Sequence, residues 1–231
     1  MAEARDNFGK VMELLVSAIP KNVIDIVEKQ LKPVFSGFKP ESYQYKLYSD
    51  AYTRIKETKS RTSNWLKLQL EFTKSVTDGF NARKIQGNNL QAQLNLFRAN
   101  YYLTQIEVIA TPQIDKTILM LIGNGRDFHI EPDYDHRFIR HAICLEDLWS
   151  PSLSLSMKLD FLESNGLIFF SKYVDRPLRN KIAHLDFEID SNGNFKAGGK
   201  VINLAEKNGC IQWYFYSIEK VFYEETCQYF E

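Results

Sequence analysis

Residues 87–112, GNNLQAQLNLFRANYYLTQIEVIATP, constrain the fold more than any other stretch of this chain. Leu90, Leu94, Phe97, Tyr101 and Val108 recur at helical spacing and share one face. The pattern predicts a long amphipathic helix with that face against the core. Thr111-Pro112 is expected to close it. Thr111 would cap a short following helix, with Pro112 in its first turn, ending near the GNG of residues 123–125.

The rest of the chain speaks the same language. Phe8, Val11, Met12, Leu15 and Ile19 mark a helix that Pro20 interrupts, and Val23, Ile26, Val27 and Leu31 resume it. KPVFSGFKPES, with two prolines and a glycine, reads as a linker or corner. Tyr45, Tyr48, Tyr52 and Ile55 predict a further helix, and the stretch from Leu66 and Leu70 to Phe80 another. Phe138, Ala142, Leu145 and Trp149 mark one more, as does Ser156–Leu162. After the break at Asn165-Gly166, residues 167–185 read as one helix with a kink at Asp175-Arg176-Pro177. Then the grammar changes. DFEID alternates, SNGN is a turn and FKAGGKVIN alternates loosely, which predicts a hairpin. CIQWYFYSIEKVFYEETCQYFE closes the chain as an aromatic helix. The expected class is mostly α with one small hairpin.

Composition bounds the function. The 231 residues carry a net charge of +0, so no global field draws nucleic acid or membrane, and a polyanion partner must meet a local patch. Cys144, Cys210 and Cys227 are scattered without metal-ligand spacing, which fits packing roles in a reducing compartment. No apolar run is long enough to span a bilayer, and the first residues lack a signal-peptide layout. The expectation is a cytoplasmic protein without cofactor.

LRNKIAHL, residues 178–185, is where chemistry concentrates. On a helix, Leu178, Ile182 and Leu185 share a core face. Asn180 and His184 lie one turn apart on nearly the opposite side, and Arg179 sits between the two faces. A histidine moves protons near neutral pH, an amide can orient the imidazole, and a guanidinium matches phosphate. Beside an RNA phosphodiester, the base would activate the ribose 2′-OH for attack on phosphorus, and the cation would stabilise the phosphate oxygens. The leaving 5′-oxygen also needs a proton. A two-fold dimer with two such helices face to face would supply a second histidine. For an arbitrary R-x-x-x-x-H the ordinary reading is an arginine paired with an acid and a histidine ending a helix.

Arg179-Asn180-Lys181-Ile182-Ala183-His184 resembles the R-N-x-x-A-H form of the R-x(4–6)-H motif of the HEPN superfamily. The following hairpin and final helix are similar to those of HEPN proteins. The resemblance implies an α-helical bundle acting as a metal-independent endoribonuclease at a homodimer groove and leaving a 2′,3′-cyclic phosphate. Arg179, Asn180 and His184 are its site residues. Such proteins recur in toxin–antitoxin and defence systems, where an antitoxin or defence partner is expected. Some members carry a tyrosine two positions after the histidine, and here Asp186 stands there. Residues 85–231 would form the HEPN-like domain and residues 1–84 a helical extension or subdomain. The alternative is a non-catalytic HEPN module that binds nucleotide, RNA or a partner protein.

Two other clusters carry residue types suited to chemistry or RNA. His129, Glu131, Asp133, Asp135, His136 and His141 offer metal-ligand types, but a five-residue gap between the last two histidines suits one helix face poorly, and a solvated loop is favoured. Arg137, Arg140 or His141 could instead edge an RNA groove. The basic run RIKETKSRTSNWLK, residues 54–67, with Tyr52 and Trp65, has the residue types of a single-strand RNA surface, though solvated helix faces explain it better. The run Trp213–Tyr216 goes all round a helix and predicts burial, partly in a dimer interface.

Overall fold

The structure is a computed structural model that describes residues 17–57, 59–86, 89–125 and 153–229, leaving aside the side chains of 54–66. It is mostly helical, with one small antiparallel sheet. The described elements are α1 (Lys21–Leu31), a 3-10 turn (Lys32–Phe35), α2 (Tyr43–Glu57), α3 (Lys59–Asn81), α4 (Leu90–Thr104), a π-helical segment (Gln105–Ala110) and α5 (Thr111–Gly123). There follow α6 (Leu155–Ser164), α7 (Phe169–Tyr173), α8 (Arg176–Ala183), β1 (Phe187–Ile189), β2 (Phe195–Ala197), β3 (Lys200–Val201), α9 (Leu204–Thr226) and a 3-10 turn (Cys227–Tyr229). Among the described residues, no helix is long and apolar enough to cross a membrane.

The chain divides into two compact units. One gathers Met1–Lys56, Pro112–Tyr173 and Trp213–Glu231. Its described core is aromatic and aliphatic, with Leu31, Ile114, Ile118, Phe169, Phe170 and Phe222 buried. KPVFSGFKPES is a packed corner rather than a linker. Val34, Phe35 and Phe38 are buried, and Phe38 lies edge-on to Phe35, Tyr48 and Tyr229. Apolar side chains that close together in sequence turn the two prolines into a corner. In the terminal aromatic run, Tyr214 is buried while Trp213 stays 37% exposed.

The second unit gathers Glu57–Thr111 and Val174–Gln212. Asn89 caps α4 by accepting the Ala92 N–H at 2.7 Å. The face of α4 and its π-helical continuation that was expected in the core points outward: Leu90, Leu94, Phe97, Tyr101 and Val108 are all exposed. The buried face is Ala92, Asn95, Ala99, Tyr102, Leu103 and Ile106, set off by two residues, about 200° around the helix. Small alanines let neighbours approach closely there. Its polar members are satisfied: Asn95 donates to the Gly193 carbonyl at 2.8 Å and Gln105 to Asn208 Oδ1 at 2.6 Å.

Thr111-Pro112 does not close the helix. Thr111 is itself helical, and its backbone N–H reaches the Ile106 carbonyl five residues back. Its hydroxyl donates to the same oxygen at 2.9 Å. The wider π turn absorbs the missing N–H of Pro112 and the crowding of its ring, so the backbone stays helical through Thr111-Pro112.

The expected helix over 167–185 is two helices. Asp175 leaves helical geometry and accepts the Leu178 N–H at 3.1 Å, so it caps α8 with Pro177 in the first turn. The expected hairpin is a three-stranded meander, β1-β2-β3. The difference is Gly198-Gly199. Both take positive φ (59° and 74°), which makes a tight second turn where a loose single strand was expected. In the first turn, Asp190 accepts the backbone N–H of Asn192 and Asn194 and meets Lys196 Nζ at 3.0 Å. The Asn194 N–H and the Lys196 ammonium hold its carboxyl down to about 2.

Candidate functional site

The motif lies on α8 in the second unit. Its N-terminal end is fixed three ways. Asp175 caps it, Lys207 Nζ of α9 binds the other Asp175 oxygen at 2.7 Å, and α8 packs on α4. Leu178 and Ile182 are buried, as the helical projection predicts. Leu185 is half-buried, because the helix has ended before it. The Leu185 N–H bonds the Ile182 carbonyl at 3.1 Å and the Asp186 N–H bonds the Lys181 carbonyl at 2.8 Å. This is a Schellman motif with leucine, at φ 60°, where glycine is usual. His184 is therefore the C-cap residue, at the point where the chain turns from helix to sheet.

Asn180 and His184 are exposed, on the outer side of α8. Arg179 is half-buried and does not stand open to solvent. Its Nε donates to Glu107 Oε1 at 2.9 Å, and its Nη2 donates to the same oxygen. Its Nη1 donates to Asn180 Oδ1 at 3.3 Å. The amide of Asn180 thus engages Arg179, where the imidazole was the expected partner. Among the described residues, no side chain hydrogen-bonds or ion-pairs with the His184 imidazole. Of five guanidinium N–H donors, three are engaged, which leaves two for an anion.

Glu107 is the residue that sequence reasoning missed. It comes from the π-helical segment, a rare local geometry associated with functional sites. A signal was present: Glu107 is the only carboxylate from residue 79 to residue 114, in an apolar run where an acid must find a partner. The ordinary reading of the motif, an arginine paired with an acid and a histidine ending a helix, is thus realised in its geometry. The arrangement leaves a guanidinium fixed in direction, with spare donors, on a helix whose amide and imidazole face outward.

Lys181 reaches Asp186 Oδ2 at 3.7 Å and lies against the glycine turn, so close that a Cβ on Gly198 would stand 2.5 Å from Nζ. The position after the histidine where some HEPN proteins have tyrosine is thus occupied by an acid engaged with a motif lysine.

His129, Glu131, Asp133, Asp135, His136, Arg137, Arg140 and His141 lie outside the described residues, as do the helix expected around Phe138–Trp149, Cys144 and the first helix through Leu15. Among the described residues, no group of three or more His, Cys, Asp or Glu is placed to hold a metal. The side chains of residues 54–66 are likewise outside the description. Lys67 is a solvated partner of Glu71 at 3.9 Å. Comparison with protein-family models, with curated proteins and with solved structures finds no match for this chain.

Proposed function

We propose that this chain is a HEPN-type endoribonuclease that cuts RNA without a metal, at a site completed by a second copy. The observation that carries the reading is the Glu107–Arg179–Asn180 chain of hydrogen bonds beside an exposed His184 on one short, rigidly capped helix. Arg179 directs its two remaining donors at a phosphate, and Glu107 holds the guanidinium plane. His184 takes the 2′-OH proton as O2′ attacks phosphorus. The P–O5′ bond breaks, and the 5′-oxygen leaves with a proton from the histidine of the partner copy. The products are a 2′,3′-cyclic phosphate and a 5′-hydroxyl, and no water is consumed. Asn180 positions Arg179 in this scheme, which revises the role expected for it. A toxin or defence setting, in the cytoplasm and with an antitoxin-type partner, belongs to the same proposal.

The test is purified protein with single-stranded RNA in EDTA, with products read by mass spectrometry. His184→Ala is expected to abolish the cyclic phosphate and leave the fold intact, since its side chain is exposed. Cleavage that survives this change, or that stops with EDTA, sinks the proposal.

One observation favours a second reading, a non-catalytic HEPN module. Glu107 offsets the charge of Arg179, and an anion must share the guanidinium with it. RNA or nucleotide binding that is lost in Arg179→Ala, in a protein that never yields a cyclic phosphate, would decide for the module.

A further inference from the structure

The outward stripe on α4 is too large and too regular to be incidental. Leu90 is 71% exposed, Phe97 66% and Val108 49%, and Leu94 and Tyr101 each exceed a third. Single exposed apolar side chains are ordinary, whereas a contiguous row marks a binding surface. From Leu90 to Val108 the row runs about 27 Å at 1.5 Å per residue. The only charged residues between 90 and 110 are Arg98 and Glu107. Both are engaged within the chain, Arg98 with Asn95 Oδ1 at 3.4 Å and Glu107 with Arg179.

We propose that this face is where a second copy of the chain docks, α4 against α4, antiparallel across a two-fold axis that passes between Phe97 and Tyr101 on the outward face. Two pairs of the row are symmetric in sequence, and Leu94 would meet the partner subunit's Thr104. Leu90 and Val108 are equidistant from residue 99, as are Phe97 and Tyr101. A two-fold axis there sets Leu90 on the partner subunit's Val108 and Phe97 on the partner subunit's Tyr101, the self-complementarity that an isologous contact requires. The rings of Phe97 and Tyr101 lie parallel already, 6.1 Å apart at 5°, and present a flat aromatic centre. Five such side chains burying on the order of 100 Å² each give roughly 1,000 Å² over two copies, the lower bound for a specific interface before flanking polar residues are counted. An uncharged face also meets its own copy without like-charge repulsion, whereas RNA would need more cations than it offers. Each copy's Val108, next to Glu107, would then stand at the start of the partner's α4.

The proposal rests on the exposed face and not on RNA cleavage, and it goes beyond the catalytic reading by naming the surface. The test is sedimentation velocity across a concentration series without RNA. The wild type is expected to sediment as a dimer. Phe97→Glu, and separately Leu94→Lys, should weaken association about 100-fold or more, with helicity and melting temperature unchanged. A Leu90→Cys, Val108→Cys chain should cross-link between copies on oxidation. A wild type that stays monomeric overturns the proposal. So does a Phe97→Glu protein that stays dimeric, or a complex formed only with another protein. Failure of the catalytic reading looks different: a stable dimer in which His184→Ala changes nothing.

Discussion

Two cation–carboxylate pairs in this chain are built from similar groups and sit in opposite surroundings. Asp115 and Lys158, in the first unit, meet at 2.7 Å with side chains 0% and 7% exposed. In the same unit Tyr173 donates to Gln113 at 2.8 Å, Gln113 donates to Glu219 at 2.6 Å, and Lys116 lies 4.6 Å from the Phe222 ring centre. Burial pushes the Lys116 ammonium below its usual range and the Tyr173 hydroxyl well above. Glu107 and Arg179, in the second unit, keep about a quarter of each side chain exposed and leave two guanidinium donors unspent. The first pair is enclosed and has nothing to offer a ligand. The second can trade a partner for a phosphate at small cost, which is what a binding site requires.

The comparison breaks most visibly at Asp115. Asp115→Ala strands the Lys158 ammonium away from water and should lower unfolding free energy by about 3–5 kcal/mol, read from urea denaturation. Replacing both partners with apolar residues, Asp115→Leu with Lys158→Met, should recover most of that loss, because the burial cost of two charges disappears with them. An Asp115→Ala protein as stable as wild type would mean that the pair is not enclosed and that the contrast with Glu107–Arg179 is false.

Glu107→Gln is the counterpart. A part-exposed pair contributes less than about 1 kcal/mol, so stability should barely move. The functional effect should be larger: an amide no longer holds the guanidinium plane, and RNA cleavage should fall about 10-fold or more, with Arg179→Ala falling about 10²–10³-fold. The informative result is the ratio. If Glu107→Gln destabilises the protein as much as Asp115→Ala does, the pair is a structural brace, and the site reading loses its main support. If it instead raises RNA affinity, Glu107 competes with phosphate for Arg179, and the module reading gains.

What the sequence revealed follows from which interactions are local. The break at Gly166, at φ 84° after α6, and the inner face of α8 with Leu178 and Ile182 were legible, whereas the Asp175 cap hides behind an expected kink and Thr111 continues the helix it was expected to cap. The partner of Arg179 was not legible, because Glu107 is 72 residues away and meets it only through tertiary packing. The inner face of α4 was misread for a related reason. Hydrophobicity alone picks out the leucine and aromatic row, but Ala92, Ala99, Asn95 and Gln105 bury better once glycine and asparagine partners stand opposite. Residue count hid the π turn too: the pattern accommodates Pro112 as readily by ending a helix as by widening one.

The smallest expected effect sharpens the same contrast at the end of the motif helix. Leu185 holds φ 60°, a region in which a side chain costs about 1 kcal/mol relative to glycine. Leu185→Gly should therefore relieve strain, while giving up part of a half-buried side chain and loosening the unfolded chain, for a net gain of up to about 0.5 kcal/mol. Melting temperature should rise slightly or stay level. The Schellman bonds from Leu185 and Asp186 back to Ile182 and Lys181 would be retained, so amide exchange at those two positions should not quicken. A clear loss of stability would mean that the Leu185 side chain contributes more through packing than its backbone costs. A gain in stability accompanied by lost cleavage would mean that the strained residue after His184 sets the direction of the imidazole, a case in which backbone strain is retained for function.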